Sequence, residues 1–591
     1  MMRSMLLVIV TSCCLPAHAQ LTAPVKNNDN TVTVTGTREA NVEMSRWRRA
    51  ETPHVVVFSQ NDELELRETA HNLEKLHFLL STLFGRVDAP DETIKIAVTM
   101  IGDAGEFGQL RLTDLRWQYG PFPHKFEKTL YYDPREEGPV LATTRDGVNL
   151  VLRPSVGRAT SRNCDGDDDS SLPERVDVIY RTSQGELVVD VEATLAQMRV
   201  NELAFCQSAE SRLYAGFAQN YLMTYFPAAY PRWFLQGFGE IFATMKAGED
   251  FVEYGHLPAG FFQVMEHYGK SYPVIDVLEG RYLSGKGRPW TPHHAWRLVH
   301  LLYFSSEWKP RLHAYLAAVA RGADPKSAAS AFGDPAELQS ALSEYRGRKL
   351  RGFDRMSFPA ERAPKPDIRQ MTQAEAGLIR GRLELGARIE VPAEEGGERS
   401  TALERRSAWL ERLRGNAAQF PKLTEHQLLL AEAECRSGNP QECLAAAERA
   451  IAQSPGETTA LVWKGMALVQ LAMRAPAVER QGRLNQARKI IAQANRRDPE
   501  GVLPLIAFYD SFARAGESAP DNAVEGLFKV VHSSPAAPAS RLKLGEQLIK
   551  RDLEDAARTT LLPVANGPFD TPERPAAAAL LPSERATQSL N

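Results

Sequence analysis

The stretch that decides the reading runs from Arg212 to Lys246: RLYAGFAQNYLMTYFPAAYPRWFLQGFGEIFATMK. It is apolar on most sides, holds a single acidic residue, Glu240, and is interrupted at Pro227 to Pro231. One helical pattern, over 191–225, precedes the break and a second, Arg232 to Lys246, comes after it. Helical text continues at His294–Phe304 and Arg311–Arg321. Upstream the text is mixed. His54 to Phe58 alternates like a strand, and a long amphipathic helix comes next with Leu66, Ala70, Leu73, Leu76, Leu80 and Leu83 at spacings of three and four, stopped at Gly85. Ile94 to Ile101 and Val148 to Leu152 read as further strands, and Tyr131-Tyr132-Asp133-Pro134 as the start of a turn. The N-terminal half is therefore α+β, mostly helical in its second part.

Beyond Leu423 the character changes. The chain becomes rich in Ala and Leu, with Pro455, Pro499 and Pro535 each closing a helical pattern. This stretch resembles about four degenerate tetratricopeptide repeats, with Trp463 and Gly465 near first-helix positions of the second unit. Such repeats stack helix hairpins into an all-α solenoid, whose concave face implies a protein or peptide partner.

Composition sets the outer limits. The chain has 591 residues, 43 % hydrophobic and 24 % charged, which excludes wholesale disorder. A net charge of −4 gives no global reason to bind nucleic acid, and no apolar run reaches the length of a transmembrane segment. Met1 to Gln20 has a basic Arg3, an apolar core and Ala17-His18-Ala19, the pattern of a signal peptide cleaved after Ala19. Export to the periplasm is the expectation, with a lipoprotein as an alternative because Val10 to Cys13 loosely imitates a lipid-acceptor site. Four cysteines lie beyond the signal; Cys435 and Cys443 flank a turn between helical patterns and could staple it, leaving Cys164 and Cys206 as a second pair. Asp165 to Asp169 lacks calcium-loop spacing and reads as a solvated acidic loop.

The text around Pro231-Arg232-Trp233-Phe234-Leu235-Gln236-Gly237-Phe238-Gly239-Glu240 resembles the core of gluzincin-type metallopeptidases, in which one helix carries H-E-x-x-H and the next W-x-x-E-G-x-A-E. Supporting likeness runs through Ala295–Leu302, Gly322–Pro325, Ala331–Gly333 and Leu338–Tyr345. The resemblance implies a zincin-like domain over 46–355. Fixing the register on Trp233 and Gly237 places the first metal histidine at Ala215, the general-base glutamate at Gly216, the second histidine at Gln219 and the third ligand at Gln236. All four are replaced, by side chains with no donor or only a neutral amide, so the resemblance implies a degenerate site without metal or cofactor. Tyr221, Tyr225, Trp233, Phe238 and Glu240 would then line a residual groove. His300 reads as a satisfied core histidine. The domain order expected is signal peptide 1–19, flexible leader 20–45, degenerate gluzincin-like domain 46–355, helical linker 356–420, repeats 421–565 and flexible tail 566–591. The function expected is that of an exported, non-catalytic pseudo-metallopeptidase and repeat protein, a binding or scaffold module of the cell envelope. An active zinc peptidase with non-standard ligands, supplied by His293, His294 and an acidic loop, is the alternative.

Overall fold

The computed structural model describes residues 43–581 apart from 89–93, 113–129, 147, 153–159, 162–178, 182–186, 190–202, 269–270, 284–289, 360–363 and 393–394. The signal peptide, nearly all of the leader, the acidic loop at 165–169, Cys164 and the side chain of Cys206 lie outside the described residues.

The N-terminal half is organised on a six-stranded sheet. Its strands are β1 (Met44–Glu51), β2 (Val55–Ser59), β3 (Ile96–Ile101), β4 (Leu130–Arg135), β5 (Gly138–Thr144) and β14 (Asp367–Thr372), in the order β14-β1-β2-β3-β5-β4. β2, β3 and β5 run parallel in the centre, and β4 returns antiparallel at one edge. Parallel neighbours need a crossover, and helix α1 (Glu63–Phe84) supplies the first one. Asp62 caps it by accepting from the Glu65 amide, and Gly85 ends it at φ +64°, the left-handed conformation a glycine tolerates without strain. Its apolar stripe, Leu66, Ala70, Leu73, Leu76 and Leu80, shares one core with Val55, Val57, Val98 and Met100 of the sheet. Each such buried leucine contributes about 1.5–3 kcal/mol of transfer free energy.

Short helix α2 (Ala104–Gln109) comes after β3. Three small sheets hold the remaining described strands: β6 (Val148–Leu152) with β7 (Thr160–Ser161) and β10 (Leu203–Gln207); β8 (Ile179–Arg181) with β9 (Leu187–Val189); and β11 (Lys246–Ala247) with β12 (Phe251–Tyr254) and β13 (Asp354–Ser357). Among the described residues eight α-helices lie between β10 and β13. They are α3 (Ala209–Tyr225), α4 (Arg232–Ala243), α5 (Phe261–Tyr268), α6 (Val274–Leu278), α7 (Pro292–Phe304), α8 (Trp308–Ala320), α9 (Pro325–Ala329) and α10 (Pro335–Glu344).

Four expectations need correction. The helix read over 191–225 starts at Ala209, because Leu203–Gln207 pairs with β6 and Ser208 caps the helix after it. Tyr131-Tyr132-Asp133-Pro134 is strand β4; the turn comes at Glu136-Glu137. The supposed helical linker 356–420 begins as strand, with β14 completing the main sheet. The supposed flexible tail carries a helix, Arg574–Leu580.

The C-terminal half is a run of helices. After α11 (Gln373–Ile389) and α12 (Gly397–Gln419) come four pairs: α13 (Thr424–Arg436) with α14 (Pro440–Gln453), α15 (Thr458–Met473) with α16 (Ala477–Arg497), α17 (Val502–Ala513) with α18 (Asp521–Ser533), and α19 (Pro538–Ile549) with α20 (Glu554–Ala565); α21 is Arg574–Leu580. Small residues set the spacing. A Cβ on Gly465 would lie 2.4 Å from Ile491, and one on Gly545 would lie 2.4 Å from Leu561, so partner helices approach closely there. Cys435 and Cys443 form a disulfide across the α13–α14 turn, with Cα atoms 5.1 Å apart. The first helices α13, α15 and α17 touch in succession, as expected along the inner side of a stacked array.

That inner side is partly occupied. The tip of the β4–β5 hairpin reaches into it. The Arg135 guanidinium donates to the carbonyls of Arg382 (2.7 Å) and Leu383 (3.0 Å) on α11. Glu137 lies 3.9 Å from Arg436 of α13, and Ser540 of α19 donates to the Glu136 carboxylate at 3.2 Å.

Candidate functional site

Helices α3 and α4, which the metallopeptidase resemblance makes a catalytic cleft, pack as core. The carboxamide of Gln219 donates to the Leu235 carbonyl at 3.3 Å, and Gln236 accepts from the Trp290 indole at 3.2 Å. A Cβ on Gly216 would stand 2.8 Å from Leu141, one on Gly239 2.5 Å from the Gln219 amide, and one on Gly237 2.4 Å from the Ala295 carbonyl. Ala215 is buried at the same α3–α4 contact, its carbonyl 3.1 Å from that Gly239 position. These four positions are therefore filled by packing, helix on helix at three of them and helix on sheet at Gly216.

The five groove residues separate. Trp233 is fully buried against Tyr315, and Phe238 packs in the core, tilted against Phe234 and edge-on to Phe242. Glu240 lies apart from both, its carboxyl pushed up to about 7 by burial. Tyr221 and Tyr225 line a cavity. Nor do the other histidines converge: His293 reaches the Ala259 carbonyl (2.9 Å), and His294 closes the N-terminal cap of α7 with Thr291. His300 accepts from the Tyr345 hydroxyl at 2.7 Å and donates between the Gly255 and Gly352 carbonyls, both at 3.0 Å. Burial holds His300 at about 4, a neutral core imidazole.

The cavity that the two tyrosines face measures about 740 Å³ and lies between the halves of the chain. The N-terminal half contributes His54, His77, Arg86, Arg135, Asn220, Tyr221 and Tyr225, and the repeats contribute Phe528, His532, Ser534 and Arg541. The described lining residues include three arginines and three histidines, and no carboxylate stands among them. Arg541 is buried and spends its hydrogen bonds on the carbonyls of Pro535 and Thr560. The wall is thus rich in aromatic rings and guanidinium groups, two of which are paired with carboxylates beside it, Arg86 with Asp88 and Arg135 with Asp133.

One corner of that wall is a cluster the sequence reading missed. His54, at the entry to β2, donates from Nδ1 to the Glu74 carboxylate at 2.7 Å, while its own amide donates to the other Glu74 oxygen at 2.9 Å. Its Nε2 faces Asp88, 3.5 Å away, and His77 Nε2 on α1 lies 2.9 Å from the second Asp88 oxygen. The two imidazoles stack at 3.6 Å. Arg86 pairs with Asp88 and lies 3.6 Å over the Tyr225 ring. Burial raises the cost of ionising Glu74, yet the bonds from His54 hold its carboxyl below the ordinary range. The His77 hydrogen bond holds Asp88 well below the usual carboxylate range, against a smaller effect of burial. Burial pulls the His77 imidazole downward. One signal was present: His77 falls on the apolar stripe of α1, between Leu73 and Leu80, where a polar side chain needs a partner.

No family model matches the chain, and no curated protein matches it. Among solved structures, a thermophilic TPR protein of Thermus thermophilus is 21 % identical, with 34 % of this chain and 98 % of that chain covered and a TM-score of 0.28. Among the described residues no helix is long and apolar enough to cross a membrane.

Proposed function

We propose that this is an exported, non-catalytic binding protein of the cell envelope, a degenerate metallopeptidase-like half clasped by helical repeats, whose cavity receives an acidic segment of a protein partner. The observation that carries this reading is the state of α3 and α4. The four positions that the metallopeptidase resemblance assigns to zinc chemistry hold no side-chain donor or only a neutral amide, and are packed against neighbouring helices and, at Gly216, against Leu141 of the sheet. The signal-like N-terminus and the Cys435–Cys443 disulfide support an oxidising compartment. Arg541 supports the acidic partner: among the described residues it is buried with bonds to carbonyls, and a bound carboxylate would give its charge a counter-ion.

The test uses the full mature chain and a defined library of synthetic peptides of varied charge, with retained peptides read by mass spectrometry. Acidic peptides are expected to be retained intact, and Arg541→Gln is expected to weaken their binding about tenfold. Cleaved peptides, or retention without preference for acidic ones, would overturn the reading.

A further inference from the structure

We infer that His54, His77 and Asp88 form a binding site for a divalent transition-metal cation of the zinc class, opening onto the cavity. Three side chains from three separate places in the chain bring one donor atom each into one cluster, all within 4.8 Å of one another. Donors held at 2.0–2.2 Å around one tetrahedral ion stand about 3.3 Å apart. His77 Nε2 stands 2.9 Å from one Asp88 oxygen and His54 Nε2 3.5 Å from the other, close to that spacing, and the two rings, stacked at 3.6 Å, would turn out of their stack to hold one ion. Two imidazole nitrogens and one carboxylate oxygen are the donor set of open zinc sites, which leave a position for water or an incoming ligand.

A second observation is independent of those three atoms. Glu74 accepts from His54 Nδ1 and from the His54 amide, which fixes the ring with Nε2 on the Asp88 side. A carboxylate behind a histidine is how metal-binding imidazoles are oriented and made more basic. Glu74 is buried at 5 % exposure inside α1, an expensive place for a carboxylate with only a structural hydrogen bond to make. His54 and His77 both border the cavity, so the ion's remaining position would face bound material.

Arg86 is the competitor. Its guanidinium pairs with Asp88 and would give up that contact when a cation arrives, keeping its place on the Tyr225 ring. This makes the proposal distinguishable from a purely structural cluster, in which losing Arg86 would only weaken matters.

The experiment is zinc titration of the full mature chain, stripped with chelator and carrying no histidine tag, followed by calorimetry and elemental analysis. About one zinc per chain is expected. Asp88→Asn and His54→Ala should each weaken zinc binding at least tenfold, Glu74→Gln about ten- to a hundredfold, and Arg86→Ala should tighten it. Circular dichroism on each variant shows that it is folded, and Asp88→Asn, at an exposed residue, keeps the test alive should a histidine variant fail to fold. Absence of zinc binding by the unaltered chain, or binding unchanged in both Asp88→Asn and His54→Ala, would overturn the proposal. Because the readout is metal, its result is independent of whether peptides are retained.

Discussion

Glu240 shows how a single side chain can carry a cost across a defined pH window. It stands one helical turn from Gln236 on α4, and burial lifts its carboxyl to about 7 from an ordinary value of 4.5. The folded state therefore keeps a proton that the unfolded state gives up. Stability is unaffected below about pH 4.5, falls as pH rises through the window to 7, and stays lower above it. Two and a half pH units correspond to about 3 kcal/mol as an upper limit. Glu240→Gln removes the titration, so it should raise stability by on the order of 2–3 kcal/mol at pH 8.5 and leave it nearly unchanged at pH 4.5. Urea unfolding at both values checks this; an equal change at the two would show that packing, not charge, sets the cost. The same scale explains what the sequence hid. Gln219 and Gln236 were placed by a local motif and could be named from text alone. His54, His77 and Asp88 stand 23 and 11 residues apart with no motif between them, and only the return of β2 beside α1 joins them.

At the level of elements, periodicity was legible wherever one face is buried along its whole length. α1, β3 and the four helix pairs of the repeats are set by apolar spacing because their stripes meet a continuous core. Edges were not legible. β4 contains Asp133-Pro134, which ordinarily marks a turn, but β4 is the last strand of its sheet, where a missing proline N–H costs no ladder bond. Asp133 is held there by Arg135 at 2.7 Å and by the Tyr131 hydroxyl at 3.0 Å. β14 lies at the opposite edge, and its text, DIRQMT, is mostly exposed and shows no strand alternation. Tight helix crossings are a second element-level property that composition does not reveal. Gly237 lets α4 rest on α7, where a methyl group would meet the Ala295 carbonyl at 2.4 Å and Val299 at 2.5 Å. Backbone cannot yield as a flexible side chain can. Gly237→Ala should therefore destabilise by about 1–3 kcal/mol despite the better helix propensity of alanine, read as a lower urea midpoint. A midpoint unchanged or raised would mean that the two helices are separable.

For the whole molecule, the question is what the inner face of the repeats holds. A solenoid of this kind ordinarily offers that face to a partner, but here the β4–β5 hairpin has claimed part of it. Glu136 and Glu137 at its tip face Ser540, Lys543 and Arg436, an acidic knob in a partly basic seat. Glu137 stays exposed at 3.9 Å from Arg436, so Glu136 makes the closer contact with the seat. The contact joins strands from the first third of the chain to helices near its end, and it closes one side of the cavity that His54 and Arg541 share. Reversing one charge should loosen it. Glu136→Lys would oppose Lys543 and Arg436 across the seat and lose the bond from Ser540, a cost of about 1–3 kcal/mol for a buried polar contact broken on one side. Hydrogen exchange should then speed up in β4, β5 and α19 while α3 and α4 keep their protection. If exchange in α19 stays as slow as before, the hairpin tip rests on the repeats without securing them, and the two halves are held instead by other contacts, among them Arg135 to α11, Arg558 to the Gly322 carbonyl and Arg232 with Asp570.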